Sequence, residues 1–336
     1  MNTNFSSQVR QAPGRWRRPL DTSLTALAIA VVVAFYGWTV DSGGGFAPVS
    51  EDDLYHLLVR GYRKGQLHLD RAPAPELLAL ADPYDPKQNG PHRLPDVTYY
   101  RGHYYLYFGA TPAIALMLPY ALITGQDLST GAAVFVFMLS GFLAASGGWL
   151  ALRRRYFPNS AWWTGALGVL VLGFGTHVLA LGRRPLVWEL PIAAGFAFAM
   201  FALLAVFAAV QGRRPLLALT VAGFCVGLAM AARPPLLFGA ALLAAPAWLV
   251  LRRTDQPRRA WWRVGLAASA GIVICGLLML WHNHARFDSA LEFGQNYQLT
   301  AAKELENRHF GLDYIWHNLG VYYFHAPRWS WIFPFV

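Results

Sequence analysis

Charge is what this chain has least of. Only 14% of its 336 residues are Asp, Glu, Lys or Arg, against about a quarter in a typical soluble domain. That is too little to clothe a water-soluble fold of this length. Cysteine is nearly missing as well. Cys225 and Cys275 both sit inside apolar runs, where they read as small buried side chains and not as a disulfide framework or a metal site. No sequence repeat of roughly 20–50 residues is present, which counts against a solenoid. The chain holds no G-x-x-x-x-G-K-[ST] phosphate loop, no G-x-S-x-G elbow and no H-E-x-x-H, which removes the motif-level case for P-loop, serine-hydrolase or zincin chemistry.

What fills the chain instead is apolar sequence, 55% of the residues, in several runs of about 18 or more, the length that crosses about 30 Å of hydrocarbon. The fold class expected is an all-α polytopic membrane protein. The net charge of +10 does not point to nucleic acid. Its arginines form short clusters at the ends of apolar spans, as the positive-inside rule requires, whereas a nucleic-acid binder gathers them along one soluble face.

The span ends give an expected topology of about seven transmembrane helices, at 20–40, 128–152, 161–181, 191–210, 215–232, 236–251 and 264–281. Residues 1–19 are a polar tail whose Arg10, Arg15, Arg17 and Arg18 hold the N-terminus in the cytoplasm. The first span is too long for a cleaved signal peptide and lacks the small-residue cleavage site, so it reads as an uncleaved anchor. Residues 41–127 then form one long exterior loop within a 20–281 membrane domain, and 282–336 an exterior C-terminal segment. The stretch 108–124 is apolar but interrupted by Pro112 and Pro119. If it crossed, Arg153-Arg154-Arg155 would emerge on the wrong side. It is therefore expected to lie on the membrane surface as the second of two juxtamembrane helices in the loop.

That loop carries about half of the chain's 18 acids. It opens with Glu51-Asp52-Asp53 and closes with an aromatic run, Tyr99 to Phe108. Apolar positions 54, 57, 58 and 62 recur at helical spacing behind the acids, so a short amphipathic surface helix is expected. Residues 70–98 are rich in Pro, Asp and Asn and read as turns. Three crowded carboxylates just past a membrane exit could supply a general base for a lipid-borne substrate. The plainer reading is a helix N-terminal cap with solvated charge around it. The Asp82–Asn89 turn has oxygens enough for a divalent cation but no EF-hand pattern, so no cofactor or metal is expected.

The order of these features resembles the GT-C superfamily of membrane glycosyltransferases. The likeness is to its bacterial branch related to protein mannosyltransferases (dolichyl-phosphate-mannose type) and lipid A aminoarabinose transferases. It rests on an exterior acid-pair motif followed by tyrosine, here Asp52-Asp53-Leu54-Tyr55, and on a surface helix ending in a glycine turn, here Arg60 to Gly65. A proline-bearing surface segment follows, here Gly109-Ala110-Thr111-Pro112, and then an inward span ending in Arg153-Arg154-Arg155-Tyr156-Phe157. The likeness covers residues 20–260. It departs from the pattern in having Asp53 where the family has Glu, and Thr111-Pro112 where the family has paired prolines.

The resemblance implies an enzyme of the bacterial cytoplasmic (inner) membrane with its working loop on the periplasmic side. The donor would be a polyprenyl-phosphate-linked sugar and the acceptor a lipid, glycan or protein. Asp52 would be the base, with Asp53 and Glu51 supporting. Arg183, Arg184 and Arg233, at exterior span ends where arginine is disfavoured, would clamp the leaving phosphate, unless they snorkel or pair with Glu189. Tyr104 and Tyr105 would offer surfaces for sugar rings, unless they belong to an interfacial aromatic belt. His282 reads as an interfacial polar residue that could meet substrate phosphate, and His177 as structural. The segment Arg286 to Tyr297 could cover the site. Trp329–Val336 looks like the start of another apolar stretch, which would make the chain part of a longer protein. The rival readings are a transporter or flippase, disfavoured by spans without mid-membrane acids or bases, and a non-catalytic scaffold.

Overall fold

In hydrocarbon no water can satisfy a backbone N–H or C=O, so apolar runs of this kind close their hydrogen bonds within helices. The computed structural model describes residues 17–253, 257–306, 308 and 311–326. The tail before residue 17 and the Trp329–Val336 stretch lie outside the described residues. Helix α1 (Arg17–Ser42) leads into the long loop. There α2 (Leu54–Arg63), the short turns α3 (Pro75–Leu78) and α4 (Pro86–Asn89), and a hairpin of β1 (Thr98–Tyr100) and β2 (His103–Tyr105) precede a π-helical stretch, Ala113–Met117, that continues as α5 (Leu118–Thr124). The bundle resumes with α6 (Thr130–Tyr156), α7 (Thr164–Phe174), α8 (Val178–Arg183), α9 (Glu189–Val210) and α10 (Pro215–Ala232). A 3-10 stretch, Pro234–Leu243, runs into α11 (Ala244–Arg252), and α12 (Pro257–Phe287) follows. The segment beyond it carries α13 (Tyr314–Leu319).

Among the described residues, six helices are long and apolar enough to cross a membrane: Pro19–Ser42, Thr130–Tyr156, Glu189–Val210, Pro215–Ala232, Pro234–Arg252 and Ala260–Phe287. The chain is an all-α polytopic membrane protein with little sheet. The stretch expected as a continuous span at 161–181 is instead two shorter helices, α7 and α8. Side chains meet the carbonyls left open in the last turn of α7. The Tyr36 hydroxyl donates to the Gly173 carbonyl at 3.0 Å, and the Thr176 hydroxyl donates to the Leu172 carbonyl at 3.3 Å.

Lipid tails are as apolar as leucine, so helices in a bilayer associate through close backbone approach and not through burial of oily faces. The α10–α12 seam is built this way. A Cβ added at Gly271 would run into the backbone of Phe224, and one at Gly227 would stand 2.6 Å from the Gly271 carbonyl. The outward side of α12 remains uncovered, with Val273, Leu277 and Leu278 all exposed. The helix does not stop at Trp281, where its apolar run ends. His282 to Phe287 contains no glycine or proline, and the helix continues through it.

One end of the bundle collects the arginine clusters. Arg153 there donates from Nη1 to both Asp21 oxygens at 2.9 Å, from Nε to Ser160 at 3.0 Å and from Nη2 to the Ala161 carbonyl at 3.2 Å. The other, the loop end, carries residues 41–127. Chain beyond α12 folds back onto that loop. The Tyr99 N–H donates to the Tyr297 carbonyl at 3.0 Å and the Leu299 N–H to the Val97 carbonyl at 3.1 Å. Thr98 Oγ1 donates to the Gly294 carbonyl at 2.9 Å, and Lys303 pairs with Asp82 at 2.8 Å. Loop and return segment thus form a single polar cap on the loop end.

Candidate functional site

A helix begins with N–H groups that lack partners, and an aspartate just before it supplies them. Asp53 does this for α2, its Oδ1 accepting from the N–H groups of Tyr55 at 3.0 Å and His56 at 3.2 Å. The same carboxylate also reaches the start of α6. Thr130 donates to it from Oγ1 at 2.8 Å and from its backbone N–H at 3.3 Å. Asp53 therefore pins the loop helix to the bundle, and its oxygens are occupied. Asp52 stands differently. Its side chain is 69% exposed and one oxygen is held by Arg71, while the other accepts no hydrogen bond among the described residues. Glu51 is exposed at the surface.

Three residues on, Tyr55 is fully buried and donates from its hydroxyl to the Gly109 carbonyl at 2.9 Å. Burial pushes its pKa well above the ordinary range, with nearby Arg233 pulling the other way. Gly109 is required at its place, since a Cβ would strike the carbonyls of Ala231 and Ala232 at the end of α10. Arg233 follows directly. Its Nη2 donates to the Trp188 carbonyl at 2.9 Å, its guanidinium lies over the Phe108 ring at 5.9 Å, and its buried Nε has no hydrogen-bond partner among the described residues. Tyr55 thus feels the fields of both Arg233 and Asp53.

The remaining expected residues fall elsewhere. Arg183 is exposed and donates to the Ser42 carbonyl at 3.1 Å. Arg184 is exposed too, and Glu189 accepts from the Leu186 N–H at 3.2 Å without pairing to either arginine among the described residues. Tyr104 and Tyr105 are buried, and burial raises the pKa of both hydroxyls. Tyr105 packs edge-on against Phe287 with centroids 5.3 Å apart. As strand neighbours they face opposite sides, and both sides are covered, so neither offers a free stacking surface. His103 stacks on His68 at 4.2 Å, and burial followed by that neighbour lowers its pKa. The Asp82–Asn89 turn uses its carboxylates locally, Asp82 on Lys303 and the Tyr84 N–H, Asp85 on the Lys87 N–H and Gln88.

His282 sits at the far end of α2, where its Nε2 shares a hydrogen bond of 3.2 Å with the Tyr62 hydroxyl. Burial pushes the Tyr62 pKa up to about 12. At 1.5 Å per residue α2 is about 15 Å long, so His282 and the acid head mark its two ends. Sequence reasoning missed the residue one turn beyond His282, the buried Arg286. A signal existed. Cys275, Met279, His282 and Arg286 recur at i, i+4, i+7 and i+11, one face of a helix continued past Trp281.

In comparison with known proteins, no family model matches the chain, no curated protein matches it, and no solved structure matches it.

Proposed function

We propose that this chain is a membrane glycosyltransferase that moves a sugar from a polyprenyl-phosphate donor to an acceptor hydroxyl or amine on a lipid, glycan or protein. The reading draws on the order of features that resembles the GT-C transferases. The observation that carries it is the exposed carboxylate of Asp52 at the head of α2, on the same helix whose Tyr55 feels the field of Arg233, a cation with no carboxylate partner among the described residues. Asp52 accepts the acceptor's proton. The acceptor oxygen or nitrogen bonds to the anomeric carbon, the bond from that carbon to the phosphate oxygen breaks, and the phosphate leaves with the electron pair. Arg233, helped by Arg183 and Arg184 at the same end, offsets the negative charge gathering on that phosphate. Asp53 positions Asp52 by locking α2 to α6 and takes no proton itself.

On this reading the loop end is the periplasmic side of a bacterial inner membrane, the N-terminus is cytoplasmic, and α7 with α8 completes seven crossings. The test is Asp52→Asn, assayed as glycan transfer in membranes at matched expression. A general base contributes about a hundredfold to ten-thousandfold, so transfer should fall by at least about a hundredfold. Undiminished transfer would remove the assignment.

A further inference from the structure

Between the loop and α12 lies a cavity of about 230 Å³, far more than the roughly 10–15 Å³ that one water needs. It is walled by the chain from Tyr107 to Ile114, by the loop end of α10, and by the face of α12 that runs from Cys275 to Arg286. Most of the wall is apolar. The exceptions are concentrated on α12, where His282, Asn283 and Arg286 line its polar end. Thr111 also lines it, but its hydroxyl is spent on the Leu228 carbonyl at 3.0 Å.

Arg286 is 7% exposed. Its guanidinium donates to three neutral oxygens, the Leu106 carbonyl at 2.7 Å, Asn283 Oδ1 at 2.9 Å and the His282 carbonyl at 3.3 Å. No carboxylate ion-pairs with it among the described residues. The two acids that follow it are engaged elsewhere: Asp288 with Arg101 at 2.7 Å and Tyr100 at 3.0 Å, Glu292 with the Gly294 N–H at 2.6 Å and Asn296 at 2.5 Å. Glu292 acts on Arg286 only through its field. A cation buried without an ion partner costs several kcal/mol. A guanidinium has five N–H donors, and three of them are accounted for here.

The cavity's mouth shows from which side an anion would reach Arg286. Ile114 of the loop and Leu278 and Trp281 of α12 line it and are each more than half exposed, the latter two on a membrane-spanning helix. Access is therefore sideways, from the bilayer. We infer that this cavity binds a bilayer phospholipid of net negative charge, its phosphate on Arg286 and the start of its acyl chain along Leu278, Ile114 and Cys275. The inference rests on the membrane location of the chain and not on sugar transfer. Its cation is distinct from the Arg183, Arg184 and Arg233 group, none of which lines the cavity.

The experiment is native mass spectrometry of the full chain, released from detergent after exchange with dioleoyl phosphatidic acid or dioleoyl phosphatidylcholine. The expected result is one retained phosphatidic acid per chain, little retained phosphatidylcholine, and occupancy about tenfold lower in Arg286→Gln, the loss of a charge-assisted contact. Arg155→Gln, an exposed arginine at the other end of the bundle, should bind as the parent does. Ile114→Trp, an exposed position at the mouth, narrows the cavity with Arg286 in place and should also lower occupancy. It decides the matter if Arg286→Gln fails to fold. Equal retention by the parent and both variants would overturn the inference. So would displacement of the lipid by inorganic phosphate at the same concentration, which would mark an ion site. No sugar or acceptor enters this assay, so its failure and that of the Asp52→Asn assay are separable.

Discussion

Asp52 and Asp53 are the same chemical group one residue apart, yet their surroundings divide the work between them. Asp53 spends its oxygens on two helix starts, whereas Asp52 keeps one oxygen open beside Arg71. The sequence supports both roles, cap and base, for the acid cluster and does not apportion them, because Thr130 lies far along the chain and only folding brings it to Asp53. Truncation should separate the roles. An N-cap is worth about 1 kcal/mol and a hydrogen bond to a charged group about 1.5–3 kcal/mol. Asp53→Ala should therefore lower stability by about 2–4 kcal/mol, read as an earlier thermal unfolding transition in detergent. Asp52→Ala, acting on an exposed side chain, should leave that transition within about 0.5 kcal/mol of the parent.

At the scale of elements, the cap joins chain from opposite sides of the bundle's sequence. The loop is expected to hold helices and turns, and the hairpin within it is a finding of the structure. Its signal was present: Arg101-Gly102 between two tyrosine-rich triplets, both with positive φ, at 46° and 82°, is the two-residue turn that matches strand twist. The return segment's pairing was not legible, since strand partners so far apart leave no local pattern. Lys303 holds the Asp82 carboxyl below its ordinary value of 3.8, and Lys64 does the same to Asp70. A carboxylate depressed on folding stabilises the fold above its unfolded pKa, and that contribution is lost as pH falls through the depressed value. The seam should accordingly loosen below about pH 4. The hydrogen-exchange protection of the Tyr99 and Leu299 amides, which bridge it, should fall there when taken relative to the intrinsic exchange rate at each pH. Lys303→Ala should speed exchange at neutral pH and flatten the acid dependence.

For the molecule as a whole, sidedness turns on α7 and α8. If they complete a crossing, residues before α7 and after α8 face opposite compartments. In a chain with Cys225 and Cys275 replaced by alanine, Asn159→Cys and Arg184→Cys should each react with a membrane-impermeant maleimide from one side only, and from opposite sides. Labelling of both from one side would reduce the bundle to six crossings.

Composition alone determined that this is a helical membrane protein, because unsatisfied backbone groups in hydrocarbon cost too much for any other form of these apolar runs. The positions of the arginines likewise determined which ends of the spans lie together. Only the tertiary structure decided what each polar side chain meets. It took α2 to lay Asp53 on Thr130, and α12 to carry Arg286 beneath Leu106 and into a cavity where no carboxylate pairs with it among the described residues. Those outcomes depend on contacts between residues remote in sequence, and a linear pattern does not encode which partner a buried charge will find.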